Sequence, residues 1–150
     1  MYQLSQANQF SQVCCICYLC GMSVFDVRSR RLPIVLLMGG LGAASVYQIL
    51  FGTIPLAFSL AGAAVGVGFL AVSKVTGEAV GYGDSFLILG LGIYLGFWNL
   101  LYLLMISFTV AAFFAMAVLV IRHFKRKTVF PFVPFLLTGY VAVLLSGGLL

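Results

Sequence analysis

Residues 85–121 read SFLILGLGIYLGFWNLLYLLMISFTVAAFFAMAVLVI, 37 positions without one Asp, Glu, Lys, Arg or His. A bilayer core accepts roughly 20 apolar residues per helix, so this run is too long for one crossing and comfortable for two. Trp98 and Asn99 in its middle suit a turn at the membrane interface. Working outward, the other apolar runs are 10–25, 34–51, 54–73 and 130–150. With 85–97 and 99–121 counted separately, the sequence predicts an all-α integral membrane protein. It should be a bundle of about six transmembrane helices in a single membrane-embedded domain over residues 1–150. Composition agrees: with 63% hydrophobic and 7% charged residues, there is too little polar surface to coat a soluble globule. The first twelve residues, MYQLSQANQFSQ, carry no Lys or Arg and so lack the basic region of a signal peptide, and the first apolar run is expected to be retained.

The charges order the spans. Arg28, Arg30 and Arg31 follow the first run, Lys74 the third, and Arg122, Lys125, Arg126 and Lys127 the fifth. All the basic residues thus fall in loops of one parity, which the positive-inside rule makes cytoplasmic, with both termini extracytoplasmic. The net charge of +5 therefore reads as a topology signal in a multi-pass cell-membrane protein, not as a nucleic-acid footprint, and no nucleic-acid partner is expected. His123 lies within the last basic cluster and reads as part of a headgroup-facing patch. Small residues crowd the third span (Ala61, Gly62, Ala63, Ala64, Gly66, Gly68) and the fourth (Gly90, Gly92, Gly96), spacings that let helix backbones approach closely inside a bundle.

The three acidic residues, Asp26, Glu78 and Asp84, fall on the cytoplasmic side with the basic loops. Asp26 ends the first span and Asp84 opens the fourth, so two carboxylates sit at similar depth at the membrane edge, where an ionisable group is costly without a purpose or a partner. Structural roles are open to both: Asp84 as a helix N-cap, Asp26 as a partner of Arg28 or Arg30. Glu78 reads as an exposed loop carboxylate. Cys14, Cys15, Cys17 and Cys20 include two C-x-x-C spacings, but within an apolar helix they cannot readily wrap a tetrahedral ion; buried thiols are expected, with no metal and no other cofactor.

Gly81-Tyr82-Gly83-Asp84 resembles the GxGD motif of intramembrane aspartic peptidases. Asp26-Val-Arg-Ser-Arg-Arg-Leu-Pro33 resembles the first-aspartate segment of the type IV prepilin peptidases, and Pro131-Phe-Val-Pro134 resembles their PFGP-type segment opening the last helix; Glu78 also fits. Phe86, Ile34 and Val133 stand where that family often has Lys, Asn or Asp, and Gly. The resemblance implies catalytic Asp26 and Asp84, with Gly81 and Gly83 in an active-site loop that meets substrate. It implies a short form without the N-terminal methylating, zinc-binding insert of many members. The substrates would be type IV prepilin-like, pseudopilin-like or preflagellin-like precursors, cut where a basic leader meets a hydrophobic helix.

The chemistry suits these residues. Hydrolysis without a covalent intermediate needs one group to take a proton from water and one to protonate the carbonyl oxygen or leaving amine, and two carboxylates sharing a proton do both. Gly81 and Gly83 allow left-handed or crowded backbone beside Asp84. Asp84 at a helix N-terminus, and Asp26 near a helix C-terminus, would make Asp84 the initial base. The competing class is a non-enzymatic polytopic membrane protein, a small ion-coupled carrier or an assembly subunit, which composition and topology fit equally well but which has no evident need for carboxylates on one face.

Overall fold

The computed structural model describes residues 2–29, 33–52, 54–75, 81–121 and 131–145. Glu78, Arg30, Arg31, His123 and the basic cluster 122–127 lie outside the described residues. The described chain is helical: α1 (Tyr2–Ser29), α2 (Ile34–Phe51), α3 (Leu56–Val75), α4 (Tyr82–Ile121) and α5 (Val133–Leu145). Four of these are long and apolar enough to cross a membrane, while α5 is a shorter apolar helix, so the chain is an all-α, multi-pass membrane protein.

α1 outruns its apolar stretch at both ends, so that Asp26 lies within the helix and does not terminate it. The α2–α3 turn is closed by Gly52, whose φ of 52° ends α2 in the left-handed conformation and whose N–H bonds to the Gln48 carbonyl at 2.9 Å. The buried Gln48 side chain donates to the Ile54 carbonyl across the same turn.

α4 is broken at Gly96, with φ 75° and ψ 178°, a backbone region essentially reserved for glycine. The expected turn therefore lies two residues before Trp98. Gly66 on α3 lies against Leu89 while Phe69, one turn on, stacks on Phe108 with ring centroids 6.0 Å apart. Residues on both sides of the break thus run beside the same part of α3, and Gly96 itself lies far from them, against Ile54 and Phe58 at the other end of that helix. The two arms of α4 double back at Gly96.

The α3–α4 contact is the most extensive in the bundle, and glycines make it. A Cβ on Gly62 would lie 2.9 Å from the Gly92 carbonyl carbon, and one on Gly66 2.7 Å from the Leu89 nitrogen, so only hydrogen atoms fit at either point. Gly68, on another face of α3, meets nothing. The second arm of α4 packs on α5 through Gly139, where a Cβ would come within 2.9 Å of the Leu103 carbonyl oxygen, and through Phe108 against Phe132 at 5.3 Å. The buried core gathers Leu19 and Met22 of α1, Leu87 to Leu104 of α4, and Val133, Leu136, Tyr140 and Val143 of α5.

Candidate active site

Asp26 is 8% exposed, and its partner among the described residues is a backbone N–H. Arg28 is exposed, whereas the Val133 N–H donates to Asp26 Oδ2 at 3.1 Å across 107 residues of sequence. The local sequence at the start of α5 explains why. The Phe132 carbonyl accepts from Phe135 and Leu136 N–H, which makes Phe132 the N-cap and Val133 the first helical residue. Pro134 has no N–H to offer and Phe135 N–H is engaged in the helix, so Val133 supplies the unpaired donor of this first turn. Val133, where the family pattern has Gly, is fully buried and holds that donor away from competing solvent.

Asp84 lies in the first turn of α4, as its third residue. The helix is entered through Gly81, whose carbonyl accepts from the Ser85 N–H at 3.2 Å and from the Ser85 hydroxyl at 3.3 Å. Asp84 is therefore not the N-cap; that position is Gly81. Its carboxylate folds back over Gly81, where an added Cβ would lie 3.3 Å from Asp84 Oδ2, and Ser85 beneath is fully buried. Gly81 thus provides the crowded approach expected of it. Neither Gly81 nor Gly83 takes a positive φ, so the left-handed alternative is not used: Gly81 precedes the helix and Gly83 is its second residue.

The Asp26 and Asp84 carboxylates, both half-buried or more, are near enough for their charges to interact. Both also sit at helix N-termini, Asp84 in the first turn of α4 and Asp26 against the first turn of α5. The helix field therefore does not single out Asp84 as the base, because the positive end of α5 offsets the C-terminal end of α1 at Asp26. Two carboxylates thus lie at one end of the bundle, one fixed by a backbone N–H and one folded over a glycine.

The cysteines differ from expectation in placement. Cys14, Cys17 and Cys20 are exposed along α1 and Cys15 is partly buried, and all four are free thiols. No signal in the sequence pointed to the other polar cluster of the bundle, in which the Ser11 hydroxyl lies 3.1 Å from Tyr47 and 2.9 Å from Tyr94 at the end remote from the aspartates.

Comparison with known proteins places these residues. The chain is 34% identical to the prepilin leader peptidase/N-methyltransferase of Aeromonas salmonicida (strain A449) over 133 residues, which cover 84% of this chain and 46% of that protein. It is 33% identical over 133 residues to the protein of the same name from Aeromonas hydrophila, with the same coverage. The chain spans about half the length of these curated relatives. No solved structure matches. Residues 13–116, the segment that holds Asp26, Gly81, Gly83 and Asp84, match the type IV leader peptidase family, and the chain belongs to that family.

Proposed function

We propose that this protein is an intramembrane aspartic endopeptidase that removes the basic leader from type IV prepilin-like, pseudopilin-like or preflagellin-like precursors at the cytoplasmic face of the cell membrane. The observation that carries this reading is that Asp26 and Asp84, 58 positions apart in the chain, lie at the same end of the bundle, where each carboxylate feels the other's charge. Family membership supplies the reaction class.

One carboxylate takes a proton from water as the water oxygen bonds to the scissile carbonyl carbon. The other, protonated, gives its proton to the carbonyl oxygen. Collapse of the tetrahedral intermediate breaks the C–N bond, and the proton first taken from water goes to the leaving amine. Gly81 leaves space beside Asp84 through which an extended substrate segment can approach, and Gly83 adds no side chain to obstruct it.

In this reading the two arms of α4 cross the membrane separately. Each side of the Gly96 break then counts as one span and the bundle has six crossings, with both termini extracytoplasmic. The basic residues Arg28 and Lys74 then lie on the aspartate side, as the positive-inside rule requires.

Cleavage of a prepilin-type precursor in liposomes by the wild type, Asp26→Asn and Asp84→Asn tests the proposal. Processing by the wild type and loss of it in both folded variants is the expected result. A variant that cuts at the wild-type rate would remove its aspartate from the mechanism.

A further inference from the structure

α1 packs on α5 and α2 packs on α4, but α1 and α2 barely meet backbone to backbone. Side chains bridge them: the Tyr18 hydroxyl donates to the Leu36 carbonyl at 3.0 Å, reaching it past Gly40, and Ser11 donates to Tyr47. Between the two helices lies a groove of about 590 Å³ floored by the first arm of α4. α2 turns Gly39, Gly40, Ala43 and Ala44 toward it, and Phe86, Gly90 and Tyr94 of α4, one turn apart, run along its floor. Its α2 wall runs from Val35 to Phe51, about 24 Å at 1.5 Å per residue, while the α1 wall from Phe10 to Tyr18 and the α4 floor from Phe86 to Tyr94 each run about 12 Å.

The groove has one end close to Asp84. Its wall is the helix that carries Asp26 and its floor the helix that carries Asp84, and the floor begins at Phe86 and Leu87, within one turn of Asp84. Near the aspartates it presents Val35, Leu36, Leu37, Phe86 and Leu87, all apolar. Besides Tyr18, whose hydroxyl is on the Leu36 carbonyl, its hydrogen-bonding side chains Ser11, Tyr47 and Tyr94 meet at the far end; the buried Tyr140 hydroxyl, beside Cys15 and Tyr94, finds no partner of hydrogen-bonding geometry among the described residues.

We propose that this groove receives the hydrophobic helix of the substrate, which enters sideways from the bilayer and lies with its cytoplasmic end at Asp26 and Asp84; this rests on the peptidase reading above. A polypeptide held between the carboxylates has to leave them in some direction, and the groove is an apolar path that starts within one turn of Asp84. Small residues along one wall let a helix backbone lie close, an advantage a lipid chain does not need.

The native cysteines make the test. Cys14 and Cys15 line the groove, whereas the exposed Cys17 and Cys20 of the same helix do not. A prepilin-type precursor with a single cysteine stepped along its hydrophobic segment is mixed with the full-length Asp84→Asn enzyme in nanodiscs and oxidised with copper phenanthroline, and the linked residues are read by mass spectrometry. Disulfides to Cys14 or Cys15, and not to Cys17 or Cys20, are expected. Ala43→Phe, which fills the groove from an exposed position, should lose that adduct and, in the otherwise wild-type enzyme, raise KM for the precursor, while Leu50→Phe on the lipid-facing side of α2 should do neither. Adducts confined to Cys17 or Cys20, or no adduct while the wild type cuts the precursor, would overturn the groove assignment and leave the peptidase reading standing. Groove adducts without any cleavage by the wild type would uphold the groove and overturn the peptidase reading.

Discussion

Asp26 and Asp84 look alike in sequence, yet the structure makes their removal unequal. Asp26 accepts the buried Val133 N–H, so Asp26→Ala strips the first turn of α5 of its partner and leaves a donor without water or protein to bond. Losing a side-chain cap costs about 0.5–2 kcal/mol, and stranding a buried N–H about 1–3 kcal/mol; these describe the same bond and are counted once, giving roughly 1–3 kcal/mol. Asp26→Asn keeps an oxygen in the same place and gives up only the charge-to-dipole part, under about 1 kcal/mol. Among the described residues no hydrogen bond holds the Asp84 carboxylate, so Asp84→Ala forfeits only the favourable charge in a first helical turn, also under about 1 kcal/mol. Reversible unfolding in mixed micelles, followed by circular dichroism, should therefore rank Asp26→Ala well below Asp26→Asn and Asp84→Ala in stability, while all three fail to cut substrate. If Asp26→Ala were as stable as Asp84→Ala, or Asp26→Asn as unstable as Asp26→Ala, the bond to α5 would not be what holds Asp26.

Gly62→Ala sets a Cβ against the Gly92 backbone, where no side chain can swing aside, and should destabilise the bundle by about 1–3 kcal/mol, whereas Gly68→Ala on the open face should be neutral within about 0.5 kcal/mol in the same unfolding assay. Gly96→Ala forces a Cβ into a positive-φ, extended-ψ conformation and should cost about 1–3 kcal/mol, seen as a lowered unfolding midpoint. Gly81→Ala adds a methyl 3.3 Å from Asp84 Oδ2 at an exposed position, so it should lower kcat for precursor cleavage while leaving stability within about 0.5 kcal/mol of wild type; an unchanged kcat would mean the carboxylate has room to spare.

Hydropathy made the membrane helices legible because each must satisfy its own backbone in lipid, and an unbroken apolar run leaves the chain few other choices. The doubling of residues 85–121 was legible for the same reason, but its turning point was not. Trp98 and Asn99 advertise an interface by their chemistry, while the backbone breaks at Gly96, a residue indistinguishable in sequence from Gly90 and Gly92, which serve as close-packing surface. The GxGD and Asp26 segments drew attention to the two aspartates through local pattern. What holds Asp26 was out of reach, since Val133 lies 107 residues away and nothing local distinguishes that donor from others at the head of a helix. Exposure of the thiols was also hidden: a cysteine facing lipid and one facing protein occupy equally apolar sequence.

The arrangement of the bundle follows from how the first arm of α4 is shared among its neighbours. Gly92 gives one face to Gly62 of α3 at backbone contact, and Gly90 lies against Leu41 of α2 at ordinary van der Waals distance. Those two contacts draw α2 and α3 onto α4 and leave α1 to find its partner in α5, through which Asp26 takes the Val133 N–H. The same choice that fixes Asp26 therefore holds α1 away from α2 and opens the face of α4 that leads to Asp84. A bundle in which α1 packed fully on α2 would close that face, and Asp26 would lose its place against α5. Fixing one carboxylate and exposing a lateral path to the other are thus two consequences of a single packing decision, made where glycine lets α3 approach α4 at backbone contact.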